Sequence, residues 1–352
     1  MGLPVKELRF GASARQALER NLWSERYVEA RLNDGNGWKP VNVRYRGGHT
    51  RGYPKRSYEI VDRGIATHYN AEYDDPSMMR NALSFAFFNR IGVPAPRTRH
   101  VKLVVNGKPA GVYLAIEGVG RPFFSRRGIG ARALFYAVTD DANFGLYRSG
   151  SSERKRSLLA GYEHRFGGRA EKRRLAQFIR GLNEDNGSAA FKKAMANLDV
   201  DNYLRWLAGA VLTGNYDGFE QNYAIYRTAR TGRYRIVPWD YEGTWGRNCY
   251  GKAVDSNLVS VSGYNQLTRK LLAQRRVRAR YGRLLRRLIG GPFTERALMP
   301  RVENMASRLA QALREDGSLK GTYKDFAGEP ARIRSYIRER REGVAGALAS
   351  LR

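Results

Sequence analysis

Three polar residues near the middle of the chain have the types and the order that phosphoryl transfer requires. Asp217 and Asn222 stand five residues apart in NYDGFEQNY, and Asp240 follows in VPWDYEG. A carboxylate beside an acceptor hydroxyl can orient that hydroxyl and take its proton. Carboxylate and amide oxygens are hard ligands that suit Mg²⁺ or Mn²⁺, the ions that neutralise nucleotide phosphates. The three residues therefore predict a metal-dependent phosphoryl-transfer centre.

The segments around these residues bear on the choice between that chemistry and a purely structural role. In protein kinases an Asp and an Asn five residues apart lie on the catalytic loop, and a β-hairpin leads from them to a metal-binding Asp. Residues 222–228 and 233–239 alternate with the strand period and are joined by ARTG, so the same layout occurs here. The alternative is that Asp217 and Asn222 only cap turns and that Asp240 only ends a strand.

The elements that must position the hairpin predict an α+β fold with two unequal domains. One helix is expected between Asp75 and Gly92, and the turn-rich segment 139–165 is expected to be a mobile loop. Strand-like alternation, indicating a small antiparallel sheet, occurs at residues 27–32, 41–46, 57–61, 99–105 and 110–117. NDGNG at 33–37 predicts a turn between the first two strands, and NGK predicts a hairpin between the last two. Helical patterns occur at residues 169–182, 188–197, 199–213, 265–289, 294–315 and 329–350. We therefore predict a smaller domain at residues 1–119 and a larger, mostly helical domain at residues 120–352.

The composition is globular and strongly basic. The 352 residues include 63 Lys and Arg against 33 Asp and Glu, a formal charge of +30, which attracts polyanions without choosing among them. A lone Cys249 excludes an internal disulfide and a cysteine-based zinc site, and the four histidines lack metal-binding spacing. No stretch is apolar enough to span a membrane, and MGLPVKELRF lacks a signal core. We therefore expect a cytoplasmic protein that does not associate with membranes.

A basic amphipathic segment supports a second, non-enzymatic hypothesis. In residues 269–288, apolar side chains such as Tyr281 and Leu285 gather on one helical face, and arginines such as Arg276 and Arg280 gather on the other. The arginine face is either solvated or attracts an acidic protein or, less favoured, a nucleic acid. On this hypothesis the chain is a basic scaffold with a decayed catalytic site. The presence of all three predicted catalytic residues argues against it.

Five blocks of sequence, in one order, resemble the CotH-type kinases, the spore coat protein H family of atypical protein kinases. The blocks are RYRGGHTRGYPKRSYEI (44–60), DPSMMRNALSFAFFNRIGVPAPR (75–97), VNGKPAGVYLAIEGV (105–119), NYDGFEQNYAIY (215–226) and PWDYEGTWG (238–246). The resemblance implies a two-lobed, protein-kinase-like fold whose smaller lobe binds ATP with Mg²⁺ or Mn²⁺. It also implies phosphorylation of Ser or Thr, with spore coat proteins as acceptors and the spore coat as a second location. A small-molecule acceptor is the alternative, and the oligomeric state stays open.

The resemblance implies a role for each residue of the two central blocks. Asp217 would be the catalytic residue beside the acceptor hydroxyl, and Asn222 and Asp240 would bind the metal ion. Glu242 stands where the family often has a second Asp, so it is a further candidate metal ligand.

A cation at the start of a strand in the smaller lobe is expected to hold the α- and β-phosphates. Lys55 is the first candidate because it follows Pro54, as in the family pattern, and Arg56 is the second. Only one of them can face the phosphates if the strand is regular, and either could instead be a solvated strand charge. The loop before the strand is expected to fold over the phosphates, unless it is an ordinary hairpin loop. Its candidate residues are Arg46, Gly47, Gly48, Thr50 and Arg51.

The sequence does not identify the acid that pairs with this cation. The helix from Met78 to Arg90 contains no Asp or Glu, so the usual lysine–glutamate pair of protein kinases is absent. Glu117 and Glu59 are the candidate substitutes, unless the phosphates alone hold the lysine. Glu117 closes a strand where a linker would contact the adenine, so it is also a candidate nucleotide contact.

Overall fold

The chain folds into two units, each assembled from three separate segments. The structure is a computed structural model that describes residues 2–351. One unit, called the barrel unit here, combines Met1–Leu83, Pro96–Phe123 and Pro300–Ala331. The other, called the hairpin unit, combines Ser84–Ala95, Phe124–Met299 and Arg332–Arg352. This division differs from the single boundary near residue 119, because local patterns cannot reveal that a late segment joins an early one.

The barrel unit contains a closed barrel of seven strands. The order around it is β1-β2-β3-β4-β5-β7-β6, and β6 pairs again with β1. The strands are β1 (Val5–Arg9), β2 (Val28–Asn33), β3 (Trp38–Arg46), β4 (Ser57–Asp62), β5 (Ile65–Asn70), β6 (Thr98–Val105) and β7 (Lys108–Glu117). The expectation of a small, wholly antiparallel sheet is therefore wrong. The short strand β1, which the sequence did not predict, pairs in parallel with β6 and closes the barrel.

Glycine and asparagine set the registers of two predicted hairpins, and both hairpins are confirmed. In NDGNG, Gly35 and Gly37 have φ of 99° and 98° between β2 and β3. Between β6 and β7, Asn106 and Gly107 have φ of 48° and 78°, the pair of positive φ values that a tight two-residue hairpin turn requires. The inward side chains of these strands form the barrel core, which includes Leu8, Leu32, Val43, Ile60, Leu103 and Tyr113.

The hairpin unit is built on a four-stranded antiparallel sheet in the order β11-β10-β8-β9. The strands are β8 (Ala131–Ala137), β9 (Tyr162–Phe166), β10 (Tyr223–Thr228) and β11 (Tyr234–Pro238). The predicted hairpin at residues 222–239 is confirmed as β10 and β11. Strand β9 lies in the segment that was expected to be only a loop, and β8 was not predicted. The hairpin therefore has one further partner strand, β8, which in turn pairs with β9.

Most of the helices occur where their periodicity predicts them. They are α1 (Ala12–Arg20), α2 (Arg80–Arg90), α3 (Arg121–Ser125), α4 (Arg169–Leu182), α5 (Ala189–Ala196), α6 (Val200–Thr213), α7 (Gln266–Leu272), α8 (Arg275–Ile289), α9 (Glu295–Arg314) and α10 (Tyr323–Ala347). Short 3₁₀ turns occur at His49–Gly52, Asp140–Ala142 and Leu348–Leu351. Across residues 2–351, none of the helices is both long enough and apolar enough to cross a membrane.

The predicted helix at residues 265–289 is wrong in one respect, because it is interrupted. Gln274 adopts an extended backbone with ψ of 113°, which ends α7 and starts α8. Within α8 the predicted amphipathic pattern is confirmed, since Tyr281 and Leu285 are fully buried, whereas Arg276 and Arg280 are exposed. The apolar face of α8 is therefore core, and its arginine face is solvated.

Candidate active site

The candidate catalytic loop starts where α6 ends. The Asp199 side chain caps α6 by accepting a hydrogen bond from the Asn202 N–H at 3.0 Å. At the other end Gly214 has a left-handed φ of 73°, and a Cβ there would lie 2.4 Å from the Tyr336 hydroxyl. Glycine is therefore needed both for its backbone and for its lack of a side chain. Because α6 is buried along most of its length, the loop that follows it begins from a fixed point.

Asp217 is half-buried, and two side-chain amides hold its carboxylate. Gln221 Nε2 donates to Oδ1 at 2.5 Å, and Asn222 Nδ2 donates to Oδ2 at 3.0 Å. Burial raises the pKa of Asp217, and the charges of Asp240 and Asp140 raise it further against the effect of the two amide donors. The structure thus brings Asp217 and Asn222 into direct contact and places the charge of Asp240 near them.

Strands β10 and β11 carry Asn222 and Asp240 to the same end of their hairpin. Tyr223 pairs with Pro238 at that end, and the Trp239 N–H donates to the Asn222 carbonyl at 3.2 Å. Asn222 and Asp240 both have φ of 58°. This left-handed conformation is unusual for side chains other than glycine, and Asn and Asp adopt it most readily.

The oxygen donors at this end of the hairpin fit a divalent cation by their chemistry. Asp240 and Glu242 supply carboxylates, while Asn222 donates through its amide nitrogen to Asp217, so cation binding would use its oxygen. No three His, Cys, Asp or Glu side chains within residues 2–351 are grouped closely enough to hold a metal ion. A cation here would therefore rest on few protein ligands together with nucleotide phosphates, as Mg²⁺ commonly does.

The Gly-rich loop of the barrel unit is folded tightly on itself. Gly47 has φ of 103°, and a Cβ there would lie 2.1 Å from the Thr50 hydroxyl oxygen. Gly48, next to it, is exposed and has open space where a side chain would be. The loop can therefore present backbone at Gly48, whereas Gly47 and Thr50 are closely packed against each other.

The two arginines of this loop already have partners inside the barrel unit. Arg51 is buried, its Nε donates to the Gly47 carbonyl at 2.8 Å, and its guanidinium pairs with Glu25. Arg46 donates to the side-chain oxygen of Asn70. A phosphate role for either arginine stays a prediction, and it would compete with these contacts.

Lys55 and Arg56 lie in different surroundings. Lys55 is buried, its Nζ donates to the Val112 carbonyl at 2.7 Å, and it lies 3.5 Å from Asp316 Oδ2. Arg56 is half-buried, and its Nε donates to the Arg51 carbonyl at 2.9 Å. The interpretation of Lys55 as a solvated strand charge is therefore wrong.

The two acids that the sequence proposed for Lys55 have other partners. Glu59 accepts hydrogen bonds from the Tyr27 hydroxyl at 2.6 Å and from Arg44 at 3.0 Å. Glu117, at the end of β7, accepts from the Arg97 N–H at 3.2 Å. The acid beside Lys55 is Asp316, which sequence reasoning missed. Its only local signal is the Asp-Gly-Ser turn at 316–318, which says nothing about a partner so distant in the chain.

A cavity of about 920 Å³ borders the candidate catalytic loop in the hairpin unit. Glu220, which lies between Asp217 and Asn222 in sequence, is part of its wall and accepts a hydrogen bond from the Ser149 hydroxyl at 2.7 Å. The exposed rings of Tyr147 and Tyr264 also line it. The volume is at the upper end of the range for small-ligand sites, and it leaves room for a segment of another polypeptide.

Comparison with known proteins gives matches over most of the chain. The family described as CotH kinase protein matches residues 43–344. The inner spore coat protein H of Bacillus subtilis (strain 168) is 36% identical over 356 residues, which cover 99% of this chain and 98% of that protein. An inner spore coat protein H-like protein of the same strain is 26% identical over 311 residues, covering 84% of this chain and 87% of that protein.

Solved structures give weaker similarities. A Helicobacter pylori proinflammatory kinase, CtkA, aligns with a TM-score of 0.39 and 9% identity over 84% of this chain and 94% of that one. A chain of the HipA, HipB and operator DNA complex of the Shewanella oneidensis MR-1 toxin–antitoxin system aligns with a TM-score of 0.36 and 14% identity over 98% of this chain and 74% of that one.

Proposed function

The chain belongs to the CotH kinase family, and from this premise we propose that it transfers the γ-phosphoryl group of ATP to a Ser or Thr hydroxyl of a protein. The observation that carries the proposal is the contact between Asp217 and Asn222 at the end of the hairpin that also bears Asp240. The hairpin brings Asn222 and Asp240 to one end, and the contact of Asn222 with Asp217 adds a second acid there. Their gathering is what a phosphoryl-transfer centre requires.

Asp217 is the proposed base. The acceptor oxygen attacks the γ-phosphorus, the bond between that phosphorus and the bridging oxygen of ADP breaks, and the hydroxyl proton passes to Asp217. A carboxylate whose pKa is raised accepts a proton more readily than an ordinary Asp, which suits this role. Gln221 and Asn222 hold the carboxylate in one orientation, so little reorganisation is needed when the acceptor arrives.

Asn222, Asp240 and Glu242 are the proposed protein ligands of Mg²⁺ or Mn²⁺. When bound, such an ion would neutralise part of the charge on the nucleotide phosphates. Lys55 is the proposed contact to the α- and β-phosphates, because it is the buried cation of the Pro-Lys-Arg block and Arg56 hydrogen-bonds to its own loop. We propose residues 1–119 as the main nucleotide-binding part, with the exposed backbone at Gly48 as a further phosphate contact.

The proposed acceptor is a protein of the spore coat type. Two observations support it: the relative that matches nearly the whole chain is a spore coat protein, and the cavity at Glu220 is large enough for a polypeptide segment. The proposed place of action follows from the acceptor, and is the cytoplasm during coat assembly or the coat itself.

The test is incubation of the purified chain with γ-labelled ATP and Mn²⁺ or Mg²⁺, alone and with a spore coat protein extract. The expected result is acid-stable label on protein, found as phosphoserine or phosphothreonine by mass spectrometry and absent with Asp217→Asn. Label on neither the chain nor the extract, with either metal, contradicts the proposal. Label that the Asp217→Asn variant transfers equally well shows that the site is misassigned.

A further inference from the structure

Asp316 is a buried acid in the connection between α9 and α10, and every oxygen of its carboxylate is held. Oδ2 accepts a hydrogen bond from the Val112 N–H at 2.7 Å. Oδ1 accepts from the Ser318 N–H at 2.9 Å and from the Ser318 hydroxyl at 2.5 Å. The side chain is only 2% exposed. Because its carboxylate is buried and fully hydrogen-bonded, Asp316 is part of the packed interior of the barrel unit and not a solvated turn residue.

Lys55 meets Asp316 across the backbone of Val112. Val112 gives its N–H to Asp316 and accepts through its carbonyl from Lys55 Nζ at 2.7 Å, while Nζ lies 3.5 Å from Asp316 Oδ2. An ammonium group has three N–H donors. Nζ also lies 5.0 Å from the centre of the Tyr113 ring, so the ammonium group is bordered by a carbonyl, a carboxylate and an aromatic face.

Gly111 provides the space for this approach. Its φ is 99°, and a Cβ there would lie 2.2 Å from the Ser318 hydroxyl oxygen and 2.5 and 2.7 Å from the two carboxylate oxygens of Asp316. Any side chain at 111 would push the 316–318 turn away from β7. The contact therefore depends on a glycine in the strand as well as on the acid in the turn.

Asp316 and Lys55 act on each other's pKa. Burial lowers the pKa of Lys55, and the charges of Asp316 and, more weakly, Glu72 oppose that fall. Burial alone would raise the pKa of Asp316, but Lys55 and the hydrogen bonds from Ser318 and Val112 bring it below its ordinary value. Each charge thus opposes the effect of burial on the other, and a lysine ammonium group held in this way is the kind of cation that attracts phosphate oxygens.

We propose that Asp316 is the positioning residue for Lys55, holding its ammonium charged and oriented toward the nucleotide phosphates. This is the task that an acid of the small-lobe helix performs in protein kinases, and here that helix has none. The acid comes instead from the late segment of the barrel unit. The inference rests on the proposed function, because it assumes that Lys55 contacts the nucleotide.

The test is a double-mutant cycle on nucleotide affinity, with a trinitrophenyl-ATP probe and Mn²⁺, using Asp316→Asn, Lys55→Met and the double variant. Asn keeps the shape and an acceptor oxygen but loses the charge. Asp316→Asn should weaken binding at least about fivefold, and should add nothing once Lys55→Met is present, because coupled residues are not additive. Equal effects of Asp316→Asn in both backgrounds would mean a structural role only, and would overturn the inference.

A pH series gives a second readout that a structural role would not move. The charged groups that act on Lys55 are Asp316 and Glu72. Without the Asp316 charge the pKa of Lys55 falls further, so probe affinity should be lost at a lower pH in Asp316→Asn than in the parent. If probe affinity is lost at the same alkaline pH in Asp316→Asn and in the parent, the inference is contradicted. Gly317→Ala is the matched control, since it changes the same turn at a position with open space.

Two further outcomes separate this inference from the proposed function. If the parent binds the probe but transfers no label, the proposed transfer activity fails, while the affinity cycle still decides the role of Asp316. If the parent does not bind the probe, both fall together. Should Asp316→Asn not fold, Ser318→Ala replaces it, because it removes one hydrogen bond to Oδ1 and leaves the charge. Ser318→Ala should then weaken probe binding in the protein that keeps Lys55, and should have no effect in the Lys55→Met variant.

Discussion

Asn222 and Asp240 share one backbone conformation, with φ of 58°, just outside the two paired ends of β10 and β11. The Trp239 N–H joins the two positions by donating to the Asn222 carbonyl. Most side chains are disfavoured in this region by roughly 1–2 kcal/mol, whereas Asn and Asp tolerate it. Exchanges between Asp and Asn therefore change the charge of the site while keeping its backbone.

Asp217→Asn should abolish phosphoryl transfer while leaving the fold intact. The amide keeps the size of the side chain but cannot take the acceptor proton, so we expect a loss of about 10²–10⁴-fold in the transfer rate. Affinity for the nucleotide probe should change less than about twofold, since Asp217 acts on the acceptor hydroxyl. Label transfer, probe binding and thermal unfolding are measured in parallel. Asp185→Asn, at an exposed position of the hairpin unit, is the control and should behave as the parent.

Asp240→Asn should weaken nucleotide binding mainly when a divalent ion is present. We expect a loss of at least about tenfold with Mn²⁺ and little change in EDTA, because the variant loses a charged metal ligand and keeps the φ of 58°. Titration with the same probe, with and without Mn²⁺, measures the difference. A similar loss in both conditions would mean that Asp240 shapes the site without binding the ion.

Glu59→Gln should destabilise the protein at neutral pH and much less in acid. Burial alone would raise the pKa of Glu59, but His68, Tyr27 and Arg44 lower it to about 2 from its ordinary 4.5. A lowered pKa contributes stability that is complete above about pH 4.5 and is lost as the pH falls toward 2. At pH 7 the substitution should therefore cost roughly 3 kcal/mol.

Urea unfolding at pH 7, 5 and 3 tests this pH dependence. The difference between parent and Glu59→Gln should be at least as large at pH 5 as at pH 7, because His68 acts on Glu59 only when protonated, and it should shrink at pH 3. Glu29→Gln, at an exposed position of β2, should show no such difference at any of these pH values. A penalty for Glu59→Gln that stays constant down to pH 3 would mean that the charge of Glu59 is not what stabilises the barrel unit.

Gly209→Ala should destabilise the hairpin unit although alanine is the better helix former. A Cβ at 209, inside α6, would lie 2.2 Å from the ring of Phe88, which is fully buried and packs edge-on against Tyr241 at 4.9 Å. Overpacking of this kind costs about 1–3 kcal/mol. Because Tyr241 follows Asp240, the variant should also weaken Mn²⁺-dependent probe binding.

Gly346→Ala is the matched comparison for Gly209→Ala. Gly346 lies in α10 and has open space around it, so alanine there should raise stability by about 0.5–1 kcal/mol. The two substitutions are chemically identical and should shift the unfolding temperature in opposite directions. A stabilising Gly209→Ala would show that Phe88 can move aside.

The parts of the fold that local patterns predicted are those with local causes. Period-2 alternation and an Asn-Gly turn predicted the hairpin of β6 and β7, and the same alternation predicted β10 and β11. Strand β1 was missed because its five residues, VKELR, carry little pattern and their parallel partner β6 is far along the chain. Parallel pairing between distant segments leaves no mark that a short window of sequence can show.

In the candidate site, too, contacts between residues close in sequence were predictable and contacts between distant residues were not. Asp217, Asn222 and Asp240 were predictable because they flank one hairpin, and their contact is short in sequence. Asp316 was not predictable, since it meets Val112 across 204 residues. Lys55 donates to the carbonyl of the same Val112. The lysine was predictable from its place after Pro54, whereas the acid beside it was not.

The barrel unit is built from three segments, so it can be completed only after the last of them has been translated. Its first two segments end at Phe123, and its third begins at Pro300, so the 176 residues from 124 to 299 are translated in between. At about 5–20 residues per second that interval is roughly 9–35 s. During this time Lys55 and Arg80 have not yet met Asp316 and Glu329, and two cations destined for burial lack those acids. In nascent chains of this protein both cations should therefore stay hydrated, and the barrel unit unfinished, until the late segment emerges.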